Sequence, residues 1–195
     1  MAEAAIDLWV KLLYAAALVL IAAVYWRAYG PSNYLWLSDI AFACIVLAVI
    51  FESPLLASMP AVGVLPLEIL WAVDFMSGGR TIGIAGYMFD PKYTRFLRSL
   101  SLFHLALPPT MLWMLWRYGY DPRAMPLQLV VTWGAVGACY LFTEPEKNIN
   151  WAFGPGEKPQ TRISPRLYFA LLLSVFSAVI LAMHLLLKWL FPMPA

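Results

Sequence analysis

The sequence predicts an all-α fold, a polytopic transmembrane helical bundle of about six spans. Of the 195 residues 63% are hydrophobic, and mean hydropathy is +0.74. Only 12% are charged, where an ordinary soluble domain carries about a quarter. So few charges cannot coat a globule in water, so lipid must solvate much of the surface. Apolar stretches near the roughly 20 residues that a spanning helix needs recur along the whole chain.

The first stretch covers 6–25, interrupted by Lys11, whose long stem lets its ammonium reach the near interface. It does not read as a signal peptide, because Glu3 and Asp7 stand where a positive n-region belongs and no small-residue cleavage site follows. The second covers 34–51. The third, 61–76, is short and holds Pro66, Glu68 and Asp74. The fourth, fifth and sixth cover 97–116, 126–142 and 167–191. Two longer polar segments, 78–96 and 143–165, are rich in Gly, Pro and charge. There is no internal repeat, and one domain, 1–195, accounts for the chain. Nine Trp and ten Tyr suit headgroup-level anchoring.

With six spans, the connections after the first, third and fifth share a side. That side carries Arg27, Arg80, Lys92, Arg95, Arg98, Lys147, Lys158, Arg162 and Arg166, nine in all, against Arg117, Arg123 and Lys188 opposite. The positive-inside bias makes the nine-residue side cytoplasmic and puts both termini outside. A net charge of +2 gives no argument for a nucleic-acid partner. Cys44 and Cys139 lie inside apolar stretches and form neither a metal spacing nor a disulfide framework.

Ionisable groups within spans are costly and mark functional sites by default. Here they gather. Asp39 and His104 both sit roughly 8–9 Å below the cytoplasmic ends of their helices, at 1.5 Å per residue. Ser38 adjoins Asp39, Asp74 precedes the cytoplasmic end of its helix, and Asn148 and Asn150 open the loop after the fifth span. Pro108 and Pro109 remove the helical partners of the His104 and Leu105 carbonyls and predict a kink. The plain alternative is a structural kink with His104 bonded to Asp39 or Asp74. Glu68 and Asp74 lie roughly 120° apart around their helix, so they cannot point at one spot.

Three chemistries fit this layer. His104 as a general base, oriented by Asp39 or Asp74, would activate Ser38 for acyl transfer or ester hydrolysis. His104 with Asp39, Asp74 or Glu68 would offer mixed ligands to a divalent metal, although no diagnostic spacing supports one. The carboxylates and histidine would also make a proton or ion path, with Glu52 and Glu68 extending it toward the far side. His184, near Lys188, reads as an interfacial residue. Tyr29, Asn33, Tyr34 and Trp36 read as an interfacial anchor in which Asn33 is a candidate cap. Gly154-Pro155-Gly156 is a turn.

Taken whole, the chain resembles a bacterial family of six-span integral membrane proteins without an assigned activity. The resemblance runs through 29–39 (YGPSNYLWLSD), 52–56 (ESPLL), 87–91 (YMFDP) and 148–151 (NINW). More distantly, the layout is similar to the superfamily of androgen-induced fatty-ester hydrolases and the related transmembrane acyltransferase, which use a Thr or Cys nucleophile on an early helix and a later His. His104-Leu105-Ala106-Leu107-Pro108 resembles that histidine and its following proline. Leu35-Trp36-Leu37-Ser38-Asp39 resembles the segment in which a Cys precedes an Asp, with Ser38 in the nucleophile's place. Against the hydrolase branch, Trp36 falls at the Thr position instead.

The expectation is therefore a lipid hydrolase or acyltransferase of a bacterial inner membrane. Ser38, Asp39, Asp74 and His104 are its catalytic candidates, with Asn148, Asn150 and Glu68 on the substrate. Neither cofactor nor metal is expected, and the neighbours are membrane lipids with a protein partner or a second copy. The rival expectation is a non-enzymatic membrane protein, an accessory subunit or a small transporter.

Overall fold

The computed structural model describes residues 5–156 and 158–193. Among these there is no strand, and eight α-helices carry the fold: α1 (Leu8–Tyr29), α2 (Leu37–Phe51), α3 (Pro54–Gly63), α4 (Leu65–Met76), α5 (Arg95–Leu100), α6 (Phe103–Tyr118), α7 (Ala124–Phe142) and α8 (Pro165–Leu190). Short 3₁₀ turns fill the connections.

Three helices, α1, α7 and α8, are long and apolar enough to cross a membrane, and the pair α3–α4 makes a fourth if its two arms count as one span. At 15 and 16 residues, α2 and α6 fall short of that length. The chain nevertheless runs along the bundle in six alternating passes. The Ile6 amide and the Lys11 ammonium reach Glu52 at the end of α2, at 3.2 and 2.6 Å. Tyr118, ending α6, donates to the same carboxylate. The Tyr120 amide donates to the Phe191 carbonyl beyond α8. The start of α1 and the end of α8 therefore lie at one end of the bundle. The segments 77–94, 143–156 and 158–164 lie at the other.

The third pass differs most from expectation. It begins at Pro54, not at 61, and bends by 59° at Val64. Ser53 caps α3 by accepting the Leu56 amide, and Pro54 at the first helical position loses nothing because that N–H has no partner anyway. The bend follows from Pro66, which cannot donate to the Val62 carbonyl and whose ring crowds it. Everything from Ala57 to Gly63 is buried, and α3 touches α2, α6, α7 and α8. It is the strut of the bundle, not a lipid-facing span. Its small residues permit close approach. A Cβ at Gly63 would stand 2.5 Å from the Gln128 side chain on α7.

The fourth pass is also divided. Helix α6 runs on through Pro108 and Pro109, and the interruption falls earlier, at Ser101–Leu102 between α5 and α6. There the amides of His104 and Leu105 donate to carbonyls three residues back. This 3₁₀-like start sets His104 at the second position of α6.

Apolar side chains on α1 and α8, among them Trp9, Val19, Leu185 and Trp189, remain exposed. That is the face lipid would cover. Lys11 belongs to the end that holds Arg117, Arg123 and Lys188, which leaves nine Lys and Arg at one end and four at the other out of 13.

Candidate functional site

The end of α1, the first turns of α2 and α6, the first two turns of α4 and the two polar loops border a cavity of about 840 Å³. Ser38, Asp39, Glu68, His104, Asn148 and Asn150 all line it; Asp74 does not.

His104 Nδ1 lies 2.8 Å from Glu68 Oε2, and the two residues are 9% and 2% exposed. The expected partner, Asp39 or Asp74, is thus replaced by Glu68. The imidazole is stacked on Trp71 at 4.5 Å and on Phe103 at 4.2 Å. Glu68 and Trp71 are three apart on α4, so one helix face supplies both the acceptor and the stacking ring. With Nδ1 engaged, Nε2 makes no hydrogen bond to any described residue and remains available on the cavity side.

Asp74 has a different task. Its Oδ1 accepts the amides of Thr81, Ile82 and Gly83, and its Oδ2 those of Gly83 and Ala85, at 2.7–3.2 Å. It is fully buried as the knot of the loop after α4. With its oxygens occupied by backbone donors, it cannot also orient His104, and its catalytic expectation is corrected to a structural one.

The asparagines shape the wall. Asn148 accepts from the Phe153 amide and donates to the Gly154 and Gly156 carbonyls. Asn150 Oδ1 accepts the Leu37 amide at 3.0 Å, and its Nδ2 donates to the Leu35 carbonyl. Both adopt positive φ, 39° and 52°, which Asn tolerates better than most residues. Asn150 therefore caps α2 from across the fold. Asn33, the local candidate, instead donates to Asp39 Oδ2 at 3.0 Å.

Capping by Asn150 satisfies one of the orphan amides of α2. The N–H groups of Ser38 and Asp39 have no acceptor among the described residues, as the first turn of a helix requires unless something caps it. The Ser38 hydroxyl lines the cavity without a hydrogen bond to His104 or to any other described residue.

Two further groups escape sequence reasoning. Tyr25 OH and Ser101 Oγ are 2.8 Å apart at the cavity wall. Trp71, 5% exposed, keeps a buried Nε1 with no hydrogen-bond partner among the described residues. An adjoining hollow of about 400 Å³ shares Ile82, Ile84, Trp151 and Gly156 with the main cavity and extends to Leu172 on α8. At the rim, Lys92 pairs with Asp90 and Lys147 with Glu144. Burial pushes the Tyr87 phenol, outside the helices, well above its ordinary range. Among the described residues no three His, Cys, Asp or Glu side chains converge as a metal-binding group. His184 reaches inward to Tyr120, 2.9 Å from its hydroxyl.

Compared with known protein families, with curated proteins and with solved structures, the chain matches none of them. The fold and the cavity thus define a class, a helical bundle with membrane-length apolar helices and a buried histidine–carboxylate pair at one end.

Proposed function

We propose that this is a six-span inner-membrane enzyme that hydrolyses or transfers the acyl group of a lipid ester at its cytoplasmic end. His104 is the general base, Glu68 the carboxylate that orients it, and Ser38 the nucleophile. The observation that carries this reading is the buried Glu68–His104 hydrogen bond with Nε2 left free toward the cavity. A carboxylate on Nδ1 sets the tautomer in which Nε2 accepts a proton, and it stabilises the imidazolium that then forms.

The chemistry balances with the groups present. Ser38 Oγ attacks the ester carbonyl while its proton passes to His104 Nε2. The ester bond breaks and the leaving alcohol takes that proton. Water or a second alcohol then releases the acyl group by the reverse proton path. The unpartnered amides of Ser38 and Asp39 at the positive end of α2 supply donors for the oxyanion. The adjoining hollow, walled by Ile82, Ile84 and Leu172, suits an acyl chain. Asp39 stays a cavity carboxylate apart from the pair. The resemblance of 35–39 and 104–108 to the acyltransferase relatives' segments would give Ser38 and His104 these roles, whereas the hydrolase branch would put Trp36 at the nucleophile's place. The six passes support six crossings, and nine basic residues against four support both termini outside.

A second reading, a non-enzymatic binding or accessory protein, is favoured by the missing Ser38–His104 hydrogen bond, although such contacts often tighten only with substrate. Fluorophosphonate labelling in detergent-free membranes separates the two. Labelling of the wild type, lost in Ser38→Ala and in His104→Ala, supports the enzyme. Wild-type protein that never labels supports the second reading.

A further inference from the structure

One wall of the cavity is a continuous arc of rings. Tyr25 and Tyr29 meet edge to face at 5.2 Å, as do Tyr29 and Tyr93 at 6.4 Å and Tyr93 and Tyr87 at 6.2 Å, while Tyr87 and Trp71 meet at a tilt at 6.4 Å. Trp71 then stacks on His104. All five aromatic residues line the cavity. They come from α1, α4 and the loop after α4, so tertiary packing and not local sequence assembles the arc.

Asp39 borders the same cavity, within electrostatic range of Tyr25 and Tyr29 and also of His104 and Glu68. Among the described residues its hydrogen-bond partner is the neutral Asn33 amide. His104, within electrostatic range of Asp39, already has its Nδ1 on Glu68, while Lys92 and Lys147 pair with Asp90 and Glu144. The N-terminus of α2 compensates part of the charge, since Asp39 lies in its first turn. A half-buried carboxylate beside these rings, with no ion-pair partner among the described residues, is costly. Where an aromatic arc and an unmatched carboxylate face one cavity, the complementary ligand is a cation whose carbon-bound hydrogens meet the ring faces. The arc already holds one cation contact at its middle ring, where Lys92 Nζ lies 4.9 Å from the Tyr93 centroid.

We infer that this cavity binds an organic ammonium ion, with Asp39 as its counter-ion and Tyr25, Tyr29, Tyr87 and Tyr93 as its walls. The ammonium comes either from a zwitterionic lipid headgroup or from a free amine. As the substrate class of the proposed enzyme this rests on the acyl-transfer reading, but the binding itself needs no turnover. Absent fluorophosphonate labelling would leave the ammonium site standing. Absent ammonium binding would leave the acyl-transfer reading standing.

The test is equilibrium binding of radiolabelled choline to the intact protein in nanodiscs of phosphatidylglycerol, which offers no ammonium headgroup. Saturable binding is expected. The uncharged isostere 3,3-dimethylbutan-1-ol should compete at least about tenfold more weakly, the worth of one partly desolvated cation–π and charge contact. Asp39→Asn should lower choline affinity by a similar factor. Because that variant removes a charge near the start of a helix, Tyr29→Phe and Tyr29→Leu form an independent pair: the first keeps choline binding and the second weakens it several-fold. Equal competition by the isostere overturns the inference, as does wild-type affinity in Asp39→Asn and Tyr29→Leu, or no saturable binding. Repeating the titration in phosphatidylcholine nanodiscs separates the sources. Suppressed choline binding identifies the lipid headgroup, and unchanged binding identifies the free amine.

Discussion

Glu68 on α4 and His104 on α6 share a 2.8 Å hydrogen bond, just beyond the 59° turn of the chain at Val64. Glu68 and Trp71 lie one turn apart on α4, so the orienting carboxylate and the ring that stacks on the imidazole reach His104 as one unit. If Glu68 sets the tautomer, Glu68→Gln keeps the shape and loses the function. Esterase turnover or fluorophosphonate labelling rate should fall by about 10²–10⁴-fold, with an unchanged melting curve. A fall of less than about threefold would remove Glu68 from the orienting role.

Asp74→Ala should act on the loop and not on the pair. Four backbone amides lose their acceptor at once, so amide hydrogen exchange over 81–85 should accelerate strongly while exchange over α7 stays as it was. Unchanged exchange over 81–85 would contradict the knot.

At the opposite end, hydrogen bonding to Lys11, then to Tyr118, holds the Glu52 carboxyl below its ordinary value of 4.5. The Arg123 guanidinium does the same for Asp121 against 3.8. A depressed folded-state value stabilises above the unfolded value and is lost as pH falls through the folded one. Thermal stability should therefore hold above about pH 5 and decline below pH 4.5. In Glu52→Gln the melting temperature should be lower at neutral pH and should change less over that acid window. An identical acid slope in variant and wild type would rule Glu52 out as a contributor.

Gly63→Ala places a methyl 2.5 Å from the Gln128 side chain, which is buried and bonded to Thr132 at 3.1 Å. Overpacking at such a site costs about 1–3 kcal/mol, so the melting temperature should drop. Gln128→Ala in the same background should recover part of the loss by making room. No recovery would argue against direct crowding between α3 and α7.

The proposed orientation is open to cysteine accessibility. A membrane-impermeant maleimide should label Lys188→Cys in intact cells, and should label Lys158→Cys only after permeabilisation. The reverse pattern would invert the topology. Cys44 and Cys139 lie within helices, and the unmodified chain gives their background.

Composition and hydropathy alone determine an all-α chain with membrane-length apolar helices, because too few charges remain to clothe it in water. Helical periodicity alone separates Glu68 from Asp74, and the two do part company. The gathering of Ser38, Asp39, His104 and the asparagines at one end is likewise legible, since depth along a helix follows from residue count. Direction around a helix relative to its neighbours does not follow from any local pattern. Only packing decides that His104 meets Glu68, that Asp74 knots its own loop, and that Asn150 rather than Asn33 caps α2 from 113 residues away. Burial of α3 is hidden for a related reason. A helix apolar all round looks the same whether protein or lipid surrounds it, and only the tertiary structure shows that α3 is enclosed by four others.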